Sequence, residues 1–138
     1  MDVTSKVKMA VSLATISRGA GAVNGTTVDA AGYDEILVLL DAGTNQATGT
    51  ADVKIQHSVD DSTWNDLASA VFTQVTTVND EGIFIGRLSR GLGNYAKRRY
   101  FRAVLTVATA ACVTGVVFIL MEKQPVQNTL ETTPQWTV

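Results

Sequence analysis

The stretch Val53-Lys54-Ile55-Gln56-His57-Ser58-Val59-Asp60-Asp61-Ser62-Thr63-Trp64 constrains this chain more than any other. Val53, Ile55, His57 and Val59 recur at period two, with Lys54, Gln56 and Ser58 between them. A β-strand points successive side chains to opposite faces, so the alternation describes a strand with one buried face. Asp60-Asp61-Ser62-Thr63 follows, and short polar side chains of this kind hydrogen-bond their own backbone and favour a tight turn. Trp64 opens the next segment and can fold back over the strand. The unit carries no catalytic group.

A second alternating stretch runs from Tyr100 to Val107. Phe101, Ala103, Leu105 and Val107 share one face, and Tyr100, Arg102, Val104 and Thr106 the other. Glu35 to Asp41 and Val113 to Met121 are apolar at both parities, so both faces of those strands should be covered, by a sandwich interior or by a subunit interface. Met9, Val11 and Leu13 alternate and predict a first strand continuing to Ile16. Thr26 to Val28 reads as a short strand and Ile83 to Leu88 as a longer one. Arg18 to Gly25 reads as a flexible Gly/Ala segment with an Asn-Gly turn, and Ala42 to Thr50 as an exposed polar loop. Leu67 to Phe72 predicts a short irregular or helical turn.

Seven to eight strands separated by turn signals predict an all-β fold, an antiparallel β-sandwich of jelly-roll-like type. A chain of 138 residues is long enough for one such domain with a real core. The expected boundaries are an N-terminal arm over 1–7, the sandwich over 8–121 and an extended C-terminal arm over 122–138. That last segment holds Pro125, Leu130, Pro134 and Trp136. Trp136 would serve as an anchor on a partner, since Trp is favoured at binding hot spots.

Composition narrows the function classes. A net charge of −2 argues against a general nucleic-acid-binding protein. The single cysteine, Cys112, excludes an internal disulfide and sits in an apolar run where a buried, inert thiol is expected. The first residues lack a charged segment followed by an apolar one, so no signal peptide is expected and cytosolic synthesis is the simplest reading. The uncharged run Ala103 to Met121 is long enough for a membrane helix. Its β-branched residues and the turn at Ala108-Thr109-Ala110-Ala111 favour two strands, and no membrane association is expected.

Candidate chemistry is sparse. His57 is the one histidine, and neighbouring Ser58 points to the opposite face of the strand, which disfavours a Ser-His pair. Asp60, Asp61, Asn65 and Asp66 are oxygen donors, but the glycine and terminal glutamate of a calcium loop are missing. Gly91-Leu92-Gly93-Asn94-Tyr95-Ala96 fits G-x-G-x-x-A, yet a β-branched strand follows where a helix should begin and no acid follows at the needed spacing. No enzyme, metal or cofactor is expected. Arg87, Arg90, Lys97, Arg98, Arg99 and Arg102 crowd six of the eleven basic residues together, interleaved with Tyr95, Tyr100 and Phe101. Such a pattern can bind single-stranded nucleic acid. With the acidic balance of the whole chain, a protein-facing patch is the better expectation.

The segment Ile55 to Leu67, followed by Arg98-Arg99-Tyr100-Phe101-Arg102-Ala103-Val104-Leu105, resembles a family of small virion proteins of tailed bacteriophages. These carry Q-x-S-x-D-x-x-x-W/F-x-D and, further on, R-Y-h-R-h, with h apolar. Several are similar to head decoration, or cement, proteins. The resemblance covers about residues 30 to 121. Many members have Gly in the turn, where this chain has Asp60-Asp61-Ser62. The resemblance implies a non-enzymatic structural protein on the capsid surface of a virion, with the major capsid protein as partner and a homo-oligomer, for example a trimer, as its form. Arg87, Arg90, Lys97, Arg98, Arg99, Arg102, Pro125, Leu130 and Trp136 are then the candidate interface residues. A neck, tail or head-fibre component is the alternative. A carbohydrate-binding sandwich using Trp64 and Tyr95 is a third reading.

Overall fold

A computed structural model describes residues 7–89, 98–122 and 135–138. The expectations for most of the N-terminal arm, for Gly91 to Ala96, and for Arg90, Lys97, Pro125 and Leu130 lie outside the described residues. Ten strands make up the described fold: β1 (Val7–Arg18), β2 (Gly21–Asn24), β3 (Val28–Asp29), β4 (Glu35–Asn45), β5 (Thr50–Ser58), β6 (Asn65–Val71), β7 (Gly82–Ser89), β8 (Tyr100–Ala108), β9 (Cys112–Met121) and β10 (Trp136–Thr137). No helix among the described residues is long and apolar enough to cross a membrane.

The strands form two sheets. Sheet A has the order β1-β9-β4-β7-β10, and sheet B the order β2-β8-β5-β6, with β3 also on β8. With β2 and β3 taken as one interrupted strand, the pairings nest: β1 with β9, β2/β3 with β8, β4 with β7, β5 with β6. A long hairpin rolled up on itself gives this order, and it is the jelly roll. The expected all-β sandwich is therefore the observed fold.

The core lies between the sheets. Sheet A contributes Ile36, Val38 and Leu40 from β4 and Val116, Phe118 and Leu120 from β9, paired across the register. Sheet B contributes Val53 and Ile55 from β5 and Phe101, Ala103 and Leu105 from β8. Each large side chain removed from water here contributes about 1.5–3 kcal/mol before the entropy of ordering is counted.

Several local expectations are corrected. The Gly/Ala segment after Arg18 holds a strand, β2, paired with β8 and exposed throughout. β4 runs on to Asn45, so Ala42 and Asn45 are buried and the exposed loop is shorter than the polar sequence suggests. Leu67 to Phe72 is mostly strand. Leu67 and Ala70 both face inward although three residues apart, a spacing that imitates a helix. Ser69 takes φ 66°, and between Gln56↔Asp66 and Lys54↔Val71 the register shifts, so that β6 carries three more residues than β5. In β1 a register shift between Val11 and Leu13 likewise breaks the alternation: Leu13 faces the core while Met9 and Val11 face out. The alternation of β5 stops at His57; Ser58 is buried as the chain turns, and Val59 is exposed. The turn at Ala108 to Ala111 is as expected, with Thr109 at φ 70°.

Finally, the segment 122–138 is not wholly an arm. Its end is β10, pairing parallel with β7.

Candidate interaction surfaces

β4 and β9 are apolar at both parities, and only one parity faces the core. The other emerges on the outer face of sheet A. Two rows cross that face in register: Met9, Ile119, Leu37 and Arg87, then Val11, Val117, Leu39 and Ile85. Met9 is 66% exposed and Val11 55%, while Leu37, Leu39, Val117, Ile119 and Ile85 are half-buried by their neighbours within the sheet. Among the described residues no second layer covers them. The rim is polar. Thr15 donates to Asp41 (3.0 Å), and Glu35 accepts from Ser89 Oγ (2.9 Å) and Arg87 (3.4 Å). Four strands across and about six residues along give an outline of roughly 400 Å², within the size range of functional patches on monomers. The continuous apolar runs of β4 and β9 were the sequence signal for this face. Met9 and Val11 carried no such signal, because the irregularity in β1 decides which way they point.

The outer face of sheet B is built differently. Gln56 is opposite both Asp66 on β6 and Arg102 on β8. Its amide nitrogen donates to Asp66 Oδ1 (2.8 Å), and its amide oxygen accepts from Arg102 Nε (2.9 Å) and Nη2 (2.7 Å). Lys54 completes the row on Asp66 (2.8 Å). The Arg102 guanidinium lies over the Trp64 ring, 4.3 Å from its centroid. At the turn, Asp60 Oδ1 accepts from Ser58 Oγ and from the backbone N–H groups of Ser62 and Thr63. Those bonds hold its carboxyl well below the usual carboxylate range. The hydrogen bonds from Lys54 and Gln56 lower Asp66 as well. The glutamine, serine, aspartates, tryptophan and arginine of the sequence motif thus fix one another, and the motif reads as a brace for the strand-turn. Trp64 does fold back over the strand. With Arg102 on its ring it presents no open double-sided platform for a sugar.

Of the basic cluster, Arg87, Arg98, Arg99 and Arg102 are described, and Arg87 and Arg102 lie on different sheets. Arg87 lies on sheet A, paired with Glu35. Arg102 lies on sheet B within the Gln56 network. Arg99 makes a two-pronged contact with Asp29 (2.8 and 2.7 Å) and sits 5.1 Å from the Tyr100 ring centroid. That contact holds Asp29 at about 2 and raises Arg99. Arg98 lies near His57, whose pKa is lowered by burial first and by that charge second. Residues adjacent in sequence are sent to opposite faces, and Arg87, Arg99 and Arg102 each have an acidic or amide partner.

Trp136, expected as an anchor on a partner, lies against β7. It is 6% exposed, edge-on to Phe72 with ring centroids 5.3 Å apart, and lies against Gly86, where a Cβ would overlap Trp136 Cζ2 and Cε2. Cys112 is a buried free thiol, its pKa raised by burial. No group of three or more His, Cys, Asp or Glu able to hold a metal ion occurs among the described residues.

No family model matches the sequence, and no curated protein matches it. Solved structures do. A chain of the infectious bursal disease virus VP2 subviral particle superposes with a TM-score of 0.56 at 13% identity, over 85% of this chain and 32% of that one. The PBSX exported protein XepA superposes with a TM-score of 0.54 at 12% identity, over 93% of this chain and 42% of that one. The present chain therefore spans well under half the length of either structure. At these identities what is shared is the fold: a jelly-roll sandwich of the kind found within a viral capsid protein and within an exported protein.

Proposed function

We propose that this chain is a non-enzymatic virion structural protein, and that it acts as a decoration (cement) subunit on the outer capsid lattice of a tailed phage. The observation that carries the proposal is the uncovered apolar face of sheet A. A rigid sandwich with one such face, a polar rim and the arginines Arg87 and Arg99 paired with carboxylates is suited to docking on protein. The jelly-roll likeness to the VP2 chain of a subviral particle supports the same class of role. Magnitude refines the reading. A standard stable interface takes about 800 Å² from each partner, twice the roughly 400 Å² outline of this face. A single copy would hold weakly, and stable attachment would come from many copies linked together.

Copy number per purified particle, by quantitative mass spectrometry against the major capsid protein, tests this. A ratio near one, or a simple fraction set by lattice symmetry, is the expected result. A few copies per hundred capsid subunits would move the protein to a neck, tail or fibre position. Absence from particles would overturn the virion assignment.

A further inference from the structure

β10 stands apart from the rest of the sandwich. Every other strand belongs to the nested antiparallel roll, whereas β10 is added in parallel to the finished edge of β7. Its seat is a built groove. Gln135 N–H donates to Ile85 O (2.8 Å), Val138 N–H to Arg87 O (2.9 Å), and Ser89 N–H to Val138 O (2.8 Å). Thr73 N–H donates to the Gln135 side-chain oxygen (3.0 Å). Trp136 fills the floor, where Gly86 leaves room and Phe72 forms the wall. Strand addition to a sheet edge, with one side chain in a pocket, is a recurrent way for one chain to hold another.

The connection to this strand is longer than its own seat requires. Met121 is level with Ser89 across the sheet, and Gln135 with Ile85, so β9 and β10 are separated by three strand spacings and about four residues of rise. That is roughly 20 Å. The twelve residues 123–134 can extend to about 40 Å. The same contacts form whether the groove belongs to the same copy or to a neighbour, so exchange loses no contact energy. The buried Trp136 indole N–H has no hydrogen-bond partner among the described residues, which offsets part of the gain from burying the ring.

We infer that the groove along β7 seats residues 135–138 of a second copy, so that copies of this chain are linked by exchange of β10. The partner is the chain itself, and the link is independent of which particle the protein occupies.

The test uses full-length chains. Thr137 and Arg87 are register neighbours, close enough for a disulfide. A tagged Arg87→Cys chain and an untagged Thr137→Cys chain are co-expressed, purified on the tag and oxidised, with buried Cys112 left in place. Exchange predicts a covalent tagged–untagged pair on a non-reducing gel. It also predicts that the double variant R87C/T137C yields linked multimers. Absence of the mixed pair overturns the inference, whether or not the double variant closes a bridge within one copy. Light scattering gives a second measure: a chain shortened to residue 134 falls to monomer mass if β10 links copies, and unchanged mass overturns the link. Both experiments are done in solution, so a failure here is distinct from absence on particles.

Discussion

The guanidinium of Arg102 lies 4.3 Å from the centroid of the Trp64 ring while two of its nitrogens hold the side-chain oxygen of Gln56. One arginine on β8 thereby ties down the residue that follows the β5 turn. A double-mutant cycle with Arg102→Ala and Trp64→Leu, read by urea denaturation, should give a coupling of about 0.5–1 kcal/mol for this partly exposed contact. Independent, additive effects would show that the two side chains are merely adjacent.

Gly86 and Trp136 make a prediction whose sign depends on the rest of the chain. In the full chain Gly86→Ala should destabilise by about 1–3 kcal/mol, because the new methyl overlaps the indole. In a chain shortened to residue 134 the same substitution should be neutral or stabilising by up to about 1 kcal/mol, through the reduced freedom of the unfolded chain. Equal losses in both chains would mean that Gly86 answers to some constraint other than Trp136.

Acid should loosen the β3–β8 edge in a defined window. The Arg99 hydrogen bonds hold the Asp29 carboxyl at about 2, against an ordinary 3.8. A depressed folded value means that the contribution is fully present above about pH 4 and is lost as pH falls through about 2. The pair is half-exposed and screened by solvent, so the effect is small. Thermal melts of the wild type and Asp29→Asn should differ at pH 5 and converge towards pH 2. A constant difference across that window would remove Asp29 from the pH response.

Charge placed on the outer face of sheet A should separate docking from folding. Met9→Glu and Val11→Glu sit at exposed positions, so stability should move by no more than about 0.5 kcal/mol. Occupancy on purified particles should fall by an order of magnitude or more, equivalent to at least about 1.4 kcal/mol per docked copy. Full occupancy by these folded variants would exclude the face as the docking surface.

What could be read from the residues follows from where period two survives. β8 keeps strict alternation and was legible to within a residue, as was the inward face of β5 as far as Ile55. β6 was not, because Ser69 takes a positive φ and turns a strand pattern into an apparent helical one. β2 was missed because an exposed edge strand of glycine and alanine has no buried side to announce it. The double-sided apolar runs of β4 and β9 marked the apolar outer face of sheet A, and nothing among the described residues covers it. Proximity in sequence says nothing about which face or which sheet receives each side chain: Arg87 and Arg102, from one basic run, lie on different sheets. Trp136 was read as an anchor without its seat, since the space that accepts it is created by the missing side chain of Gly86, fifty residues earlier.

The nested pairing also governs how the chain must acquire its shape. Val7 meets Met121, and Val28 meets Phe101. Neither sheet can be completed while β8 and β9 are still being synthesised, so Met9, Val11 and Leu13 emerge long before their partners exist. Folding dominated by such distant pairings belongs to the slow end of the range for single domains, in milliseconds to seconds. During that interval β1 is an unpaired apolar strand, and aggregation competes with closure. Yield at high expression is therefore governed by how many such open chains are present at once, and weaker, cooler expression should recover more native protein.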